Sequence, residues 1–140
     1  MSSPAEIQKL FLSSPHYAVV GASKDQTKFG TKILNWYKAR SMSVQPVHPK
    51  ETHLEGLATV TSVADLPEPT QTSISVVTPP TVTLSILQTA LPLGVPAVWI
   101  QPGAADEKVI AWVKENGMED RVIHSGPCIL VEGDAVRSLL

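Results

Sequence analysis

The stretch from Tyr17 to Gly30 constrains the fold more than any other. A short apolar run, Tyr17-Ala18-Val19-Val20, stops at Gly21; a loop of small, polar and basic residues follows, and helical spacing takes over at Phe29-Gly30. That pattern is a strand, a turn and a helix N-terminus. The first N–H groups of a helix have no partner within it, and with the helix dipole they form an anion site suited to phosphate. The run is apolar on both faces, as a central strand of a parallel sheet would be.

The remaining sequence supplies the other elements in alternation. Ser3-Pro4-Ala5-Glu6 is a capping box with proline at the first helical position, and Ile7, Leu10 and Phe11 share one face, which predicts a helix from Ser3 to Leu12 ended by Pro15. The first strand runs from His16 to Gly21. Phe29, Ile33, Trp36 and Tyr37 recur at helical spacing, with Lys28, Lys32, Lys38 and Arg40 on other faces, so this helix ends near Arg40. Val44-Gln45-Pro46-Val47 reads as a short second strand whose proline a fully bonded central position would not tolerate. Glu51 to Pro69 is polar and loop-rich, with at most a helical turn at Ser62–Leu66.

A third strand, Thr72 to Val77, stops at Thr78-Pro79-Pro80. The helix after it takes Val82, Ile86, Leu87 and Ala90 as its inner face and is ended by Pro92 and Gly94. A fourth strand, Pro96 to Ile100, closes at Gln101-Pro102-Gly103. A helix from Asp106 to Asn116 follows, with Val109, Ile110, Trp112 and Val113 inward and Gly117 at its C′ position; Arg121 to His124 is the fifth strand. Strands alternating with helices indicate an α/β fold: a doubly wound, Rossmann-like parallel sheet of about five strands with helices on both faces. The 140 residues fit one such domain, residues 1–140.

Composition excludes several functions. A net charge of -2 gives no basic field for nucleic acid. Cys128 is the only cysteine, so no internal disulfide forms and a reducing compartment is expected. His16, His48, His53 and His124 show no metal-ligand spacing, so no metal is expected. Met1 to Pro15 lacks a secretory pattern, and no run approaches the roughly 20 apolar residues that span a bilayer. The expected protein is soluble and cytoplasmic, without a membrane partner.

In open parallel sheets ligands bind beyond the carboxyl ends of the strands, where the strand order reverses. Those ends are Gly21-Ala22-Ser23, His48-Pro49-Lys50, Thr78-Pro79-Pro80, Gln101-Pro102-Gly103 and Ser125-Gly126-Pro127-Cys128. The dinucleotide fingerprint is absent, because the glycine after Gly21 is Gly30. The second strand ends in Lys50 rather than in the acid that would bond an NAD ribose; an acid would repel a phosphorylated ribose, and a lysine attracts it. The ligand that fits is a diphosphate with an additional ribose phosphate: coenzyme A or, less well, NADP.

Ala18-Val19-Val20-Gly21-Ala22-Ser23, Phe29-Gly30, Pro46-Val47-His48-Pro49, Trp99-Ile100-Gln101-Pro102-Gly103 and Cys128, in this order, resemble the small stand-alone CoA-binding proteins. Their fold is similar to the N-terminal domain of the succinyl-CoA synthetase alpha subunit. The resemblance implies a Rossmann-like domain with Gly21, Ala22, Ser23 and Lys24 over the diphosphate and Lys28, Phe29 and Gly30 beneath it. It implies Pro49 and Lys50 beside the adenosine phosphate, and His48, also expected at the ligand, stands where an asparagine is usual. Thr78, Pro79 and Pro80 resemble the synthetase proline turn, Gln101 and Gly103 lie on the same rim, and the matching cysteine, Cys128, lies where the pantetheine thiol would arrive. The synthetase uses a histidine of a second domain, and this chain ends before one could begin. The expectation is a binding, carrier or sensor module for CoA or acyl-CoA without catalytic residues of its own, alone, as a homodimer or beside a partner subunit. The alternatives are an NADP-dependent reductase of unusual sequence and the CoA-site subunit of a larger acyl-CoA enzyme.

Overall fold

The structure is a computed structural model describing residues 2–140. In chain order its elements are α1 (Pro4–Leu12), β1 (His16–Val20), α2 (Phe29–Ala39), β2 (Val44–Val47), a small hairpin of β3 (His53–Leu54) and β4 (Leu57–Ala58), β5 (Thr72–Val76), α3 (Pro80–Leu93), β6 (Val98–Ile100), α4 (Glu107–Glu115), β7 (Val122–Ile123) and α5 (Ile129–Arg137). The main sheet has the order β2-β1-β5-β6-β7, every pair parallel. The expected five-stranded doubly wound sheet is therefore present.

Local chemistry explains the element starts. Ser3 accepts the Glu6 N–H at 3.2 Å, and Glu6 Oε1 accepts the Ser3 N–H at 3.2 Å, so the predicted capping box is closed on α1. β2 lies at the sheet edge, where Pro46 is tolerated; its carbonyl accepts the Val60 N–H at 3.1 Å. Two apolar layers cover the sheet. Ile7, Phe11, Ile33, Tyr37, Trp99 and Ile129 join α1, α2 and α5 to one face, and Ile74, Leu87, Val98, Val109 and Val113 join α3 and α4 to the other.

Several details differ from the sequence reading. Pro92 does not end its helix; α3 continues to Leu93 and stops at Gly94, whose φ of 75° lets the chain turn away. Leu10, Val82 and Ile110 are exposed, and Leu12 and Thr83 take buried places instead. The segment after β2 contains the β3–β4 hairpin as well as the expected turn, Val63–Asp65. The C-terminal helix α5 has no counterpart in the sequence reading. It docks on α2 at Gly133, where an added Cβ would lie 2.5 Å from the Trp36 ring. Arg40 stacks on that ring at 4.3 Å and donates to both carboxylate oxygens of Asp134.

Candidate functional site

The order reversal falls between β1 and β5, because the chain goes from β1 to β2 on one side and then crosses to β5 on the other. The carboxyl ends of these two strands therefore stand side by side. The Val77 N–H donates to Val20 O at 2.8 Å, and Gly21 leaves the sheet at φ +116°. A Cβ at Gly21 would lie 2.1 Å from Val77 O, so only glycine can pass between the two exits. A Cβ at Gly30 would lie 2.4 Å from Gly21 O and 2.9 Å from Ala22 N. These two glycines bring the first turn of α2 into backbone contact with the strand exit.

The loop between them is tied at both ends. Ser23 N–H donates to Thr31 Oγ1 at 3.1 Å while that hydroxyl donates to Ser23 O at 2.9 Å. Asp25 accepts the N–H and hydroxyl of Thr27, bonds that hold its carboxyl below the usual range. Lys28 is the N-cap residue of α2; no side chain caps this helix and no acid lies in its first turn, whereas Ser3 caps α1 and Asp106 caps α4. The amides of Phe29, Gly30 and Thr31 thus begin a helix with a basic residue beside them and no internal anion on them. Phe29 and Gly30 of this turn line a cleft of about 330 Å³ together with Gly21, Ser23, Lys28 and Val77. A second cleft of about 440 Å³, which shares Phe29 and Val77, extends to Thr78, Pro79, Pro102 and Gly103.

On the other side of β1 the turn after β2 carries His48, Pro49 and Lys50. His48 Nδ1 accepts the N–H groups of Lys50 at 3.0 Å and Glu51 at 2.9 Å, and Lys50 projects into solvent. Lys24 reaches across from the glycine loop and pairs with Glu51 at 2.9 Å, holding the Glu51 carboxyl below the usual carboxylate range. Next to Pro49 lies an apolar pocket of about 210 Å³ walled by Val20, Val47, Val63, Val82 and Ile86. The sequence reading spent Val82 on the core; the structure puts it at 44% exposure on this pocket wall. The available signal was its position in the first turn of α3, immediately after the Thr78-Pro79-Pro80 turn.

The other expected residues divide by accessibility. Ala22 is buried, leaving only its backbone for a ligand. The hydroxyls of Thr78 and Thr83 are 2.8 Å apart, fixing the turn, and Pro79 and Pro80 begin α3. Gln101 is buried, and its Oε1 accepts the first amide of α5, Ile129 N–H, at 3.1 Å. Cys128 is the N-cap of α5 and half-buried, with its N–H donated to Glu132 Oε2. Gln101 and Cys128 are thus joined through the start of α5, and neither lines the two clefts. A depression at the opposite ends of β1, β2 and β5 is lined by His16, which contacts Ser43 at 2.8 Å and Glu68 at 2.9 Å. Among the described residues no cluster of three or more His, Cys, Asp or Glu could hold a metal, and no helix is long and apolar enough to cross a membrane.

Residues 15–134 match the family model described as a CoA binding domain. Among solved structures, the chain is similar to a conserved hypothetical protein of Pyrococcus furiosus, at 36% identity and a TM-score of 0.75 over 84% of this chain and 97% of that one. A Thermus thermophilus protein superposes with a TM-score of 0.80 at 26% identity over 96% of this chain and 99% of that one. The fold also recurs in a dinucleotide-forming acetyl-coenzyme A synthetase of Candidatus Korarchaeum cryptofilum, described in complex with phosphate and ADP. That match has 24% identity and a TM-score of 0.67, over 86% of this chain and 27% of that one. A comparison with curated proteins gives no match.

Proposed function

The chain belongs to the CoA-binding domain family, and from this premise we propose that it is a binding module that holds coenzyme A or an acyl-CoA across the carboxyl ends of its sheet, without chemistry of its own. The observation that carries the reading is the first turn of α2. Its amides lack a side-chain cap, Lys28 stands beside them, and Gly21 and Gly30, by having no Cβ, let the strand exit and this turn meet backbone to backbone. A diphosphate supplies the anion such a helix start favours.

The rest of the ligand follows from the neighbours of that turn. The apolar pocket of Val20, Val47, Pro49, Val63, Val82 and Ile86 suits the adenine ring, and Lys50 on the adjacent turn suits the ribose phosphate. The pantetheine arm leaves in the opposite direction, through the cleft between Phe29 and Pro79 toward Pro102 and Gly103. Gln101 and Cys128 support the far end of this path through α5 rather than by lining it. Binding of this kind suits a carrier or sensor, or a module that offers its ligand to a partner subunit.

Calorimetry with CoA, dephospho-CoA and NADP tests the reading. The expected result is saturable CoA binding, weaker binding of dephospho-CoA and much weaker binding of NADP. Tighter binding of NADP would replace the reading with a nicotinamide site, and absence of heat with all three at millimolar concentration would defeat it.

A further inference from the structure

His48 uses one ring nitrogen to organise the turn that presents Lys50. Nδ1 accepts the Lys50 N–H at 3.0 Å and the Glu51 N–H at 2.9 Å, the two amides that an asparagine or aspartate oxygen would accept in an Asx turn. The base of the turn is held separately: the His48 N–H donates to Val60 O at 2.9 Å, and the Thr59 hydroxyl donates to Glu51 O at 2.5 Å. In the middle of the turn, the Lys50 and Glu51 amides thus have the ring as their acceptor. An amide oxygen keeps its lone pairs at any physiological pH, but imidazole does not: the cation carries a proton on both nitrogens and accepts nothing.

From this geometry we infer that His48 is a positioning residue that sets the Lys50 turn only while its ring is neutral, so that the protein's hold on the ribose-phosphate end of CoA weakens once acid protonates that ring. Rising acidity replaces an acceptor with a third donor that faces two N–H groups. The charged neighbours are Lys50 and Glu51 on the turn and Lys24, which reaches Glu51 from the glycine loop. The adjoining pocket walls, from the Thr61–Val63 segment and α3, contribute no charged side chain. Charge alone works the other way, since an imidazolium near a phosphate attracts it. The two effects therefore predict opposite signs.

The inference rests on the CoA reading of the site, and its test separates the two. CoA affinity is measured at about pH 8 and about pH 5.5, spanning the histidine range, for the wild-type protein and for His48→Asn, which keeps an acceptor that does not titrate. The pH ratio of one protein is divided by that of the other, so the titration of the ligand's own phosphates, common to both, cancels. The expected result is that acidification weakens wild-type binding about tenfold more than it weakens His48→Asn binding, the equivalent of one or two hydrogen bonds sharing a single lone pair. Equal ratios, or a wild type that gains affinity relative to His48→Asn, would overturn the inference. A ligand-free measurement accompanies it. Nitrogen-15 spectra should show His48 carrying its proton on Nε2 at pH 8, with protection of the Lys50 and Glu51 amides against hydrogen exchange, relative to intrinsic rates, falling at pH 5.5. Protection independent of pH, or a proton on Nδ1, would overturn it even if CoA were not the ligand. CoA binding absent at both pH values would defeat the proposed function and leave the exchange measurement to judge the turn.

Discussion

Replacing Gly30 by alanine isolates the contact that builds the site. The new Cβ would meet three backbone atoms, Gly21 O at 2.4 Å, Gly21 C at 2.6 Å and Ala22 N at 2.9 Å, none of which can rotate away. Restoring ordinary contact requires the strand exit and the first turn of α2 to part by about 1 Å. Alanine would normally gain up to about 1 kcal/mol over glycine in a helix, but near the N-terminus the gain is smaller. Overpacking of this kind costs about 1–3 kcal/mol, so the clash wins. The net loss, about 1–2 kcal/mol, should lower the melting temperature of a domain this size by roughly 3–8 °C. Affinity should fall further than stability alone explains, by tenfold or more, because the parted surfaces are those proposed to hold the diphosphate. Gly117→Ala is the control: at φ +66° with no atom within 4 Å of the added Cβ, it suffers backbone strain of about 1 kcal/mol but no clash. Calorimetry on both variants should show matched destabilisation with CoA affinity lost only in Gly30→Ala. A Gly30→Ala protein that binds CoA like the wild type would refute the reasoning.

Three further outcomes are expected. Lys50→Glu should weaken CoA binding by about threefold to tenfold and dephospho-CoA binding much less, since only CoA carries the ribose phosphate; equal losses would place Lys50 away from it. Glu51→Gln should release Lys24 and raise CoA affinity roughly two- to fivefold at low salt, with the gain shrinking as salt rises. Lys24 holds the Glu51 carboxyl below its usual range, so in the wild type the pair persists at neutral pH and is lost only as pH falls through that depressed value; an unchanged Glu51→Gln affinity would mean that Lys24 does not meet the ligand. Gly133→Ala should destabilise the protein by about 1–2 kcal/mol even though alanine favours helix, because its Cβ would lie 2.5 Å from a Trp36 ring pinned by Arg40. A melting temperature at or above wild type would show that α5 shifts freely.

The parts legible in the sequence are those written in local pattern. β1, Gly21 and α2 were readable because an apolar run, a glycine and a 3.6-residue period succeed one another without interruption, and the Pro46 edge strand was readable from a missing N–H. The β3–β4 hairpin was not, since strands of two residues have no period to detect. α5 was missed because Gly133 interrupts its inner face of Ile129 and Val136; the glycine exists for Trp36, which lies almost a hundred residues earlier. Val82 misled for a related reason: helical spacing says which residues share a face, and only the fold says that part of α3's face borders an open pocket. The individual glycine and lysine positions were visible, but their couplings were not. Gly30 against Gly21, and Lys24 on Glu51, arise from tertiary geometry.

The central claim, that the first turn of α2 receives the ligand's diphosphate, is tested most directly by titrating nitrogen-15-labelled protein with CoA and following its backbone amides. The account predicts saturable shifts that are largest at Gly21–Ser23 and at Phe29, Gly30 and Thr31, with smaller ones at Lys50 and Glu51. Shifts confined to other surfaces, or none at these amides with CoA at millimolar concentration, would contradict it.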